Sequence, residues 1–216
     1  MSPECDCRER HLRRKIVLTG GPGAGKTAVL EMIRPSLCEH VVIVPESAGI
    51  IFKGGFPRGD TAGVRRATQR AIYHVQCELE EAMTAQGAEV MLCDRGAVDG
   101  FAYWPGPDDF WQTVGTTLED VLRRYDAVIH LRVPDVEHGY GYENPLRTES
   151  AAEAKLIDDR ILEAWAGHPR RVVIGPATDF IEKARQTLAV LRRELPGCCR
   201  DHATRAMNSV EEAGHV

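Results

Sequence analysis

A glycine-rich segment that directly follows a short apolar run constrains this chain more than any other feature. Residues 20–27 read G-G-P-G-A-G-K-T, and Ile16, Val17 and Leu18 precede them. A strand, a G-x-x-x-x-G-K-[ST] loop and a helix in this order form a phosphate-binding loop, or Walker A motif. The glycines let several backbone N–H groups converge on a phosphate, and the helix start adds partial positive charge. The segment therefore predicts that the chain binds a nucleoside triphosphate.

The residues of this loop are predicted to divide the contacts with the nucleotide among them. Lys26 is expected to reach the β- and γ-phosphates, and the Thr27 hydroxyl is expected to bind Mg²⁺. The expected cofactors are therefore Mg²⁺ and ATP or GTP, and ATP is favoured because the sequence contains no guanine-reading N-K-x-D motif. The residues predicted to contact the nucleotide are Gly21, Pro22, Gly23, Ala24, Gly25, Lys26, Thr27 and Ala28.

Length favours a single domain, and net charge points to no nucleic-acid or membrane partner. A chain of 216 residues suits a single α/β domain, and the net charge of −5 gives no electrostatic reason to expect a nucleic-acid partner. No apolar run approaches the roughly 20 residues that span a bilayer, and we expect a cytoplasmic monomer or homodimer. The predicted organisation is a disordered lead-in at 1–13, a phosphate-loop domain at 14–195 with a lid near 134–170, and a polar tail at 196–216.

The seven cysteines leave two interpretations open. Cys38, Cys77 and Cys93 lie at or near predicted elements, where a thiol usually behaves as a small buried hydrophobe. The two ends of the chain could also meet in one four-ligand zinc site. The spacing of its candidate ligands fits no standard zinc pattern, so reduced and unligated thiols are favoured. Those candidates are Cys5, Cys7, His11, Cys198, Cys199 and His202.

Strands that alternate with helices predict a parallel sheet with helices on both faces. The predicted fold class is α/β: a P-loop NTPase with three α/β/α layers and a five-stranded parallel sheet. Strands are predicted at 15–18, 41–44, 89–93, 127–131 and 172–174, and helices at 25–34, 64–86, 118–125, 148–165 and 179–195. Residues 50–60 are predicted to form a loop and residues 101–111 an irregular wall.

Three charged residues follow predicted strands, at the edge where an open α/β sheet binds its ligands. Asp94 ends the third strand and is predicted to hold the metal, although an aspartate there can also cap a helix. Arg95 is predicted to hold a phosphate or an acceptor hydroxyl, with a surface ion pair as the alternative. Glu46 follows the second strand and is a candidate general base, a sugar ligand or a helix cap.

Two further groups of charged residues are candidate substrate contacts. Arg66, Gln69 and Arg70 share one face of the predicted helix 64–86, where they read a base or hold an anion, or where they simply form a solvated face. Arg147 is the first choice for a lid arginine that neutralises the γ-phosphate. Other arginines and aromatic residues proposed for the lid are Arg160, Arg170, Arg171, Tyr140, Tyr142 and Trp165.

Taken in order, several short motifs resemble the NadR-like AAA-domain family of P-loop proteins over roughly residues 15–191. The matching segments are 18–27, 44–46, 54–57, 69–72, 93–96, 144–147 and 179–183. That family is similar to the ribosylnicotinamide kinase domain and, more distantly, to deoxynucleoside and thymidylate kinases, so the resemblance implies a five-stranded sheet of the nucleoside- or nucleotide-kinase type. The resemblance implies that Glu46 acts as a base or sugar ligand, that Asp94 and Arg95 form the acid–arginine pair, and that Gln69 reads a base. Gly96 departs from the serine that is common in deoxynucleoside kinases.

These observations predict a Mg²⁺-dependent phosphotransferase that moves the γ-phosphate of ATP to a hydroxyl of a small, nucleoside-like metabolite. The predicted partners are a nucleoside triphosphate and a small-molecule acceptor. The alternative is a nucleotide-gated switch or NTPase that regulates a protein or lipid partner. The predicted catalytic residues are Lys26, Glu46, Asp94, Arg95 and Arg147, and those predicted to bind the substrate are Glu46, Arg66, Gln69, Arg70 and Arg95.

Overall fold

The computed structural model describes residues 7, 9–107, 109–134, 150–176 and 180–200. Its strands are β1 (Arg14–Thr19), β2 (Val41–Val44), β3 (Val90–Asp94), β4 (Ala127–Leu131) and β5 (Arg171–Ile174). They form one sheet in the order β2-β3-β1-β4-β5, and all neighbouring pairs are parallel. The predicted α/β class and five-stranded parallel sheet are therefore confirmed.

Helices cover both faces of this sheet. The helices are α1 (Lys26–Ile33), α2 (Ser47–Lys53), α3 (Ala62–Ala85), α4 (Phe110–Thr113), α5 (Leu118–Leu122), α6 (Ala151–Ala164) and α7 (Phe180–Glu194). Side chains of α1 and α7 pack on one face, and α3, α5 and a 3₁₀ helix (Asp99–Tyr103) pack on the other. Because both faces are buried, strands such as β1 and β3 carry continuous apolar runs rather than alternating polar and apolar residues.

The register of the strands brings the predicted site residues to one edge of the sheet. Leu18 of β1 lies opposite Asp94 of β3, and Val44 of β2 lies opposite Cys93. Parallel strands place their carboxyl ends at the same edge, so the phosphate loop, Glu46 and Asp94 are neighbours there.

Two predicted irregular regions contain regular structure. The loop predicted at 50–60 is wrong in its first part, because α2 runs to Lys53 and the chain turns only at Gly54 and Gly55, where φ of Gly55 is 92°. A helix forms there because small and apolar residues precede the glycines. The wall predicted at 101–111 likewise includes the end of the 3₁₀ helix and the start of α4.

Helix boundaries elsewhere agree with the sequence prediction to within a few residues. The helix predicted at 148–165 is α6, which begins after Ser150 in a capping box with Glu153. The loop before it, residues 135–149, lies outside the described residues, and so do Tyr140, Tyr142 and Arg147.

The first residues of the tail predicted at 196–216 contact the domain. Cys199 is fully buried in the same cluster as α1 and α7, and the N–H groups of Cys199 and Arg200 each donate to the Pro196 carbonyl at 3.1 Å. Burial of this thiol holds residues 196–200 against the domain. Among the described residues, no helix has the length and apolar character that would let it cross a membrane.

Candidate active site

The phosphate loop adopts a conformation that requires glycine. Gly20, Gly23 and Gly25 all have positive φ, at 136°, 82° and 87°. At Gly20 a Cβ atom would also lie only 2.1 Å from the Leu131 carbonyl oxygen of β4. No other residue type fits this close approach, and the cradle expected for a phosphate is therefore present in the backbone itself.

Lys26 lies at the centre of this loop. Its Nζ donates to the carbonyl oxygens of Gly20 at 2.7 Å and Gly21 at 2.8 Å, and only 7% of the residue is exposed. Burial, together with the nearby Arg95 charge, lowers the pKa of Lys26 to about 7. Thr27, which follows it, is exposed. The ammonium is held by weak neutral acceptors, so an anionic phosphate would be a stronger partner.

Arg95 joins the acid after β2 to the phosphate loop. Its Nε donates to Glu46 Oε1 at 2.6 Å, and its Nη1 donates to the Gly20 carbonyl oxygen at 3.2 Å. The backbone of Arg95 is left-handed, with φ at 73°, and its N–H donates to the Leu18 carbonyl at 3.0 Å. Strained conformations of non-glycine residues concentrate at functional sites. Here the left-handed backbone accompanies the contact between the guanidinium and the loop.

The two carboxylates at this edge have opposite pKa shifts. Burial raises the pKa of Asp94 to about 6, because it outweighs the stabilising charge of Lys26. Burial acts in the same direction on Glu46, but the charges of Arg95 and Lys26 outweigh it and lower the pKa of Glu46. Glu46 is therefore ionised at neutral pH, and Asp94 would be stabilised in its charged form by a metal ion.

The sequence prediction missed Asp99, whose carboxylate contacts Arg95, a residue of β1 and a residue after α6. Its Oδ2 accepts a hydrogen bond from Thr19 Oγ1 at 2.7 Å, and its Oδ1 accepts one from Trp165 Nε1 at 2.7 Å. Asp99 Oδ2 also lies 3.5 Å from Arg95 Nη1. Asp99 lies four residues after Arg95, and this spacing is the one indication of their contact in the sequence. The other partners of Asp99, on β1 and after α6, are too distant along the chain to predict.

The sequence prediction also missed Asp158 of α6, whose buried carboxylate ties the phosphate loop to β4. Asp158 Oδ1 accepts the Gly21 N–H at 2.8 Å and lies 2.9 Å from His130 Nε2. Its Oδ2 accepts the Val133 N–H at 3.2 Å and lies 2.7 Å from Arg132 Nε. Four partners from two parts of the chain, the phosphate loop and residues 130–133, therefore converge on one carboxylate.

The predicted substrate residues of α3 differ in burial and in their contacts. Gln69 is buried beside Gly100 of the 3₁₀ helix, while Arg70 is exposed. Arg66 pairs with Asp109, and its guanidinium lies 4.5 Å from the centroid of the Trp104 ring. Gln69 and Arg66 thus lie against the 3₁₀ helix and the aromatic wall, whereas Arg70 is exposed.

The predicted lid arginines do not gather at the phosphate loop in the described residues. Arg160 lies within α6 and is exposed, rather than flanking that helix. Arg170 binds Glu194, and Arg171 donates to the Leu162 carbonyl, both at the start of β5. The sheet edge where strands begin is opposite the phosphate loop, so Arg170 and Arg171 are removed from the site. Trp165 is fully buried and packs in the core.

Comparison with known proteins identifies the family. A family model described as an AAA domain matches residues 15–183. The chain belongs to the AAA-domain family. A search of curated proteins finds none that matches this AAA-domain protein.

The fold of this AAA-domain protein is similar to that of a solved nucleotide kinase. Thymidylate kinase from Candida albicans superposes with a TM-score of 0.57 at 10% sequence identity, over 85% of this chain and 92% of that chain. This similarity shows a shared P-loop kinase fold. Together with the family match, it describes a P-loop nucleotide-binding, kinase-like protein.

Proposed function

We propose that this protein is a phosphotransferase that moves the γ-phosphate of ATP to a hydroxyl group of a small, nucleoside-like acceptor. The observation that carries the proposal is the contact of Arg95 with both Glu46 and the Gly20 carbonyl. These contacts place a carboxylate and a guanidinium beside the phosphate loop. Phosphoryl transfer needs such groups to position the acceptor and to neutralise developing charge.

The residues of the loop fit a bound magnesium nucleotide. The glycine conformations leave backbone N–H groups free of Cβ atoms, and the ammonium of Lys26 is buried among carbonyl oxygens that a phosphate would replace. Thr27 and Asp94 would hold Mg²⁺, which supplies neutralising charge to the phosphates when bound. Lys26 would hold the phosphates, and Arg147 would close over them.

The acceptor would lie on the side of the site formed by β2, β3 and the wall. Glu46 would accept the proton of the attacking hydroxyl, and Arg95 would hold that hydroxyl in place. A lowered pKa makes Glu46 a weak base, which suffices because the transition state of phosphoryl transfer is loose. Gln69 and Arg66, which lie against the 3₁₀ helix and the aromatic wall, favour a planar acceptor that carries hydrogen-bonding groups.

The proposed function is tested by ATP consumption with and without added acceptors. Suitable acceptors are nucleosides, pyridine nucleosides and hydroxylated antibiotics, supplied with ATP or GTP and Mg²⁺. At least one acceptor is expected to stimulate turnover and to appear phosphorylated by mass spectrometry. Slow turnover that no acceptor stimulates, combined with nucleotide-dependent binding of a protein or lipid, would instead support a switch.

Glu46→Gln is expected to lower acceptor-dependent kcat by about 10²–10⁴-fold, since it removes the proposed proton acceptor. The affinity for ATP should change little, because Glu46 contacts Arg95 rather than the phosphate loop. Single-turnover rates and calorimetry measure these two quantities. Glu31→Gln, on the exposed face of α1, is the matched control. A normal kcat in Glu46→Gln would contradict the assignment of Glu46.

The pH dependence of kcat/KM for ATP should be a narrow bell. Asp94 must lose its proton to hold Mg²⁺, and its pKa is about 6, so activity rises through that pH. Lys26 must keep its proton to hold phosphate, and its pKa is about 7, so activity falls above that pH. Lys26→Arg should remove the alkaline decline, because arginine stays protonated. An activity that stays level to pH 9 in the unchanged protein would contradict this assignment.

A further inference from the structure

Six cysteine and histidine side chains from three distant segments meet at the sheet edge opposite the phosphate loop. Two precede β1, two lie between α1 and β2, and two follow α7. His40 immediately precedes the first residue of β2, which places the group at the edge where the strands begin. Its members are Cys7, His11, Cys38, His40, Cys198 and Cys199.

Four distances among Cys38, His40, Cys198 and Cys199 are close to those between the ligand atoms of a tetrahedral zinc ion. His40 Nδ1 lies 3.4 Å from Cys38 Sγ, 3.7 Å from Cys198 Sγ and 3.9 Å from Cys199 Sγ. Cys198 Sγ and Cys199 Sγ are 3.7 Å apart. Zn–S bonds of about 2.3 Å and Zn–N bonds of about 2.0–2.1 Å separate the ligands of a tetrahedron by roughly 3.5–3.8 Å. We propose that Cys38, His40, Cys198 and Cys199 bind one Zn²⁺ ion.

One pair of sulfur atoms departs from this geometry. Cys38 Sγ and Cys199 Sγ are 2.9 Å apart, which is longer than a disulfide bond of about 2.05 Å. This distance between the two sulfur atoms is also shorter than the separation between two zinc-bound thiolates. Zinc binding therefore requires these two sulfurs to separate by roughly 0.8 Å, a movement within the range of a side-chain rotation.

Glu89 supplies a second and independent indication of a metal. Its Oε2 atom is buried and has no hydrogen-bond partner among the described residues. A carboxylate oxygen of Glu89 lies within 4.8 Å of a ring nitrogen of both His11 and His40. Histidines that bind zinc commonly donate their other N–H group to a carboxylate, which fixes the ring and raises its basicity. Glu89 is therefore assigned as a positioning residue that acts through His40.

Cys7 and His11 lie beside the proposed ligands. His11 Nε2 is 3.1 Å from Cys198 Sγ and 3.7 Å from Cys7 Sγ. Both residues are half-buried, whereas Cys38 and Cys199 are fully buried in the core. His40 and Cys198 are half-buried as well, but they lie 3.9 Å and 3.7 Å from the Cys199 sulfur. The ligand set is therefore built around the two buried thiols, and Cys7 and His11 are placed outside it.

Metal analysis of the full chain tests the proposal. Protein prepared with reductant and without chelator should contain about one zinc ion per chain after excess Zn²⁺ is dialysed away. Cys38→Ser, His40→Ala and Cys199→Ser should each lose at least about 90% of it, because a closed structural site tolerates no missing ligand. Cys77→Ser, on α3 and outside the group, is the matched control and should keep it. An unchanged protein without zinc, or one that is 2 Da lighter because a disulfide has formed, would overturn the proposal.

Cobalt substitution tests the ligand set even where a serine variant folds poorly. Unchanged protein loaded with Co²⁺ should show the intense visible absorption of a tetrahedral site and the ultraviolet band of thiolate ligation. The Cys7→Ser/His11→Ala variant should give the same spectrum, and a lost thiolate band there would overturn the assignment of ligands. Glu89→Gln should bind Zn²⁺ about 10–100-fold more weakly with the spectrum retained, and unchanged affinity would exclude its positioning role.

Discussion

Lys26→Ala is expected to lower kcat/KM for ATP consumption by about 10³-fold or more. Its ammonium is the buried cation of the phosphate loop, held by the carbonyl oxygens of Gly20 and Gly21. Donors fixed in advance at the site of developing charge contribute roughly 10²–10³-fold each to catalysis, and this lysine also contributes to ground-state binding of the phosphates. Steady-state kinetics and calorimetry with ATP would measure the two losses separately.

The same substitution should not destabilise the free protein. Burial lowers the pKa of Lys26 from 10.5 to about 7, so between these values the unfolded chain binds the proton more tightly than the folded protein. Lys26 therefore costs folding free energy at neutral pH, and this cost disappears as the pH rises above 10.5. We expect the thermal midpoint of Lys26→Ala to be equal to or above that of the unchanged protein.

Two controls separate a loss of phosphate binding from a general effect of mutation. Lys155→Ala, an exposed lysine of α6, should keep normal ATP affinity and turnover. Lys26→Arg keeps a positive charge but changes its shape, and it should bind ATP more weakly than the unchanged protein and more tightly than Lys26→Ala. Normal ATP affinity in Lys26→Ala would contradict the assignment of the nucleotide site.

The strands and the phosphate loop were predictable because their signals are local. Runs such as 41–44 and 127–131 are apolar over the length of a buried parallel strand. The glycines of 20–27 specify a conformation that few other sequences adopt. Helix α2 was not predictable in the same way. The glycines at 54 and 55 suggested a loop from residue 50 onwards, but the residues up to Lys53 are helical.

The residues that hold the site together could not be predicted, because their partners are far away in the sequence. Asp99 contacts Thr19 and Trp165, which are 80 and 66 residues distant. In the sequence, an aspartate inside a helical segment looks the same whether it is solvated or buried. The proposed metal site has this difficulty in part. The sequence offers Cys198 and Cys199 as candidate zinc ligands, but Cys38 and His40 come from a distant segment in which Cys38 resembles a small buried hydrophobe.

Replacement of Asp158 should cause the largest loss of stability among single changes around the phosphate loop. Its side chain is 1% exposed and it binds Arg132, His130 and the N–H groups of Gly21 and Val133. Burial opposes its charge, but these partners outweigh burial and lower its pKa. Stability from Asp158 is therefore present above the ordinary carboxyl pKa and is lost as the pH falls through the lowered value.

Asp158→Ala removes the buried acceptor that these four partners share, and Arg132 keeps its contact with Asp159. Breaking a buried ion pair from one side costs about 3–5 kcal/mol of unfolding free energy. Since Gly21 belongs to the phosphate loop, kcat/KM for ATP should also fall, by up to about 10²-fold from misplacement alone. Urea unfolding followed by circular dichroism measures the first effect, and initial rates measure the second.

Asp159 provides a matched control on the adjacent position of α6. Its Oδ1 lies 2.5 Å from Nη2 of the same Arg132, but its side chain is 53% exposed and makes no contact with Gly21 in the described residues. An exposed pair contributes about 0–1 kcal/mol, so Asp159→Ala should unfold near the urea midpoint of the unchanged protein and keep its activity. The two substitutions remove the same charge, and they differ in burial and in the contacts of Asp158 with Gly21, His130 and Val133. If both variants unfold at the same urea concentration, then those buried contacts do not stabilise the fold around the phosphate loop.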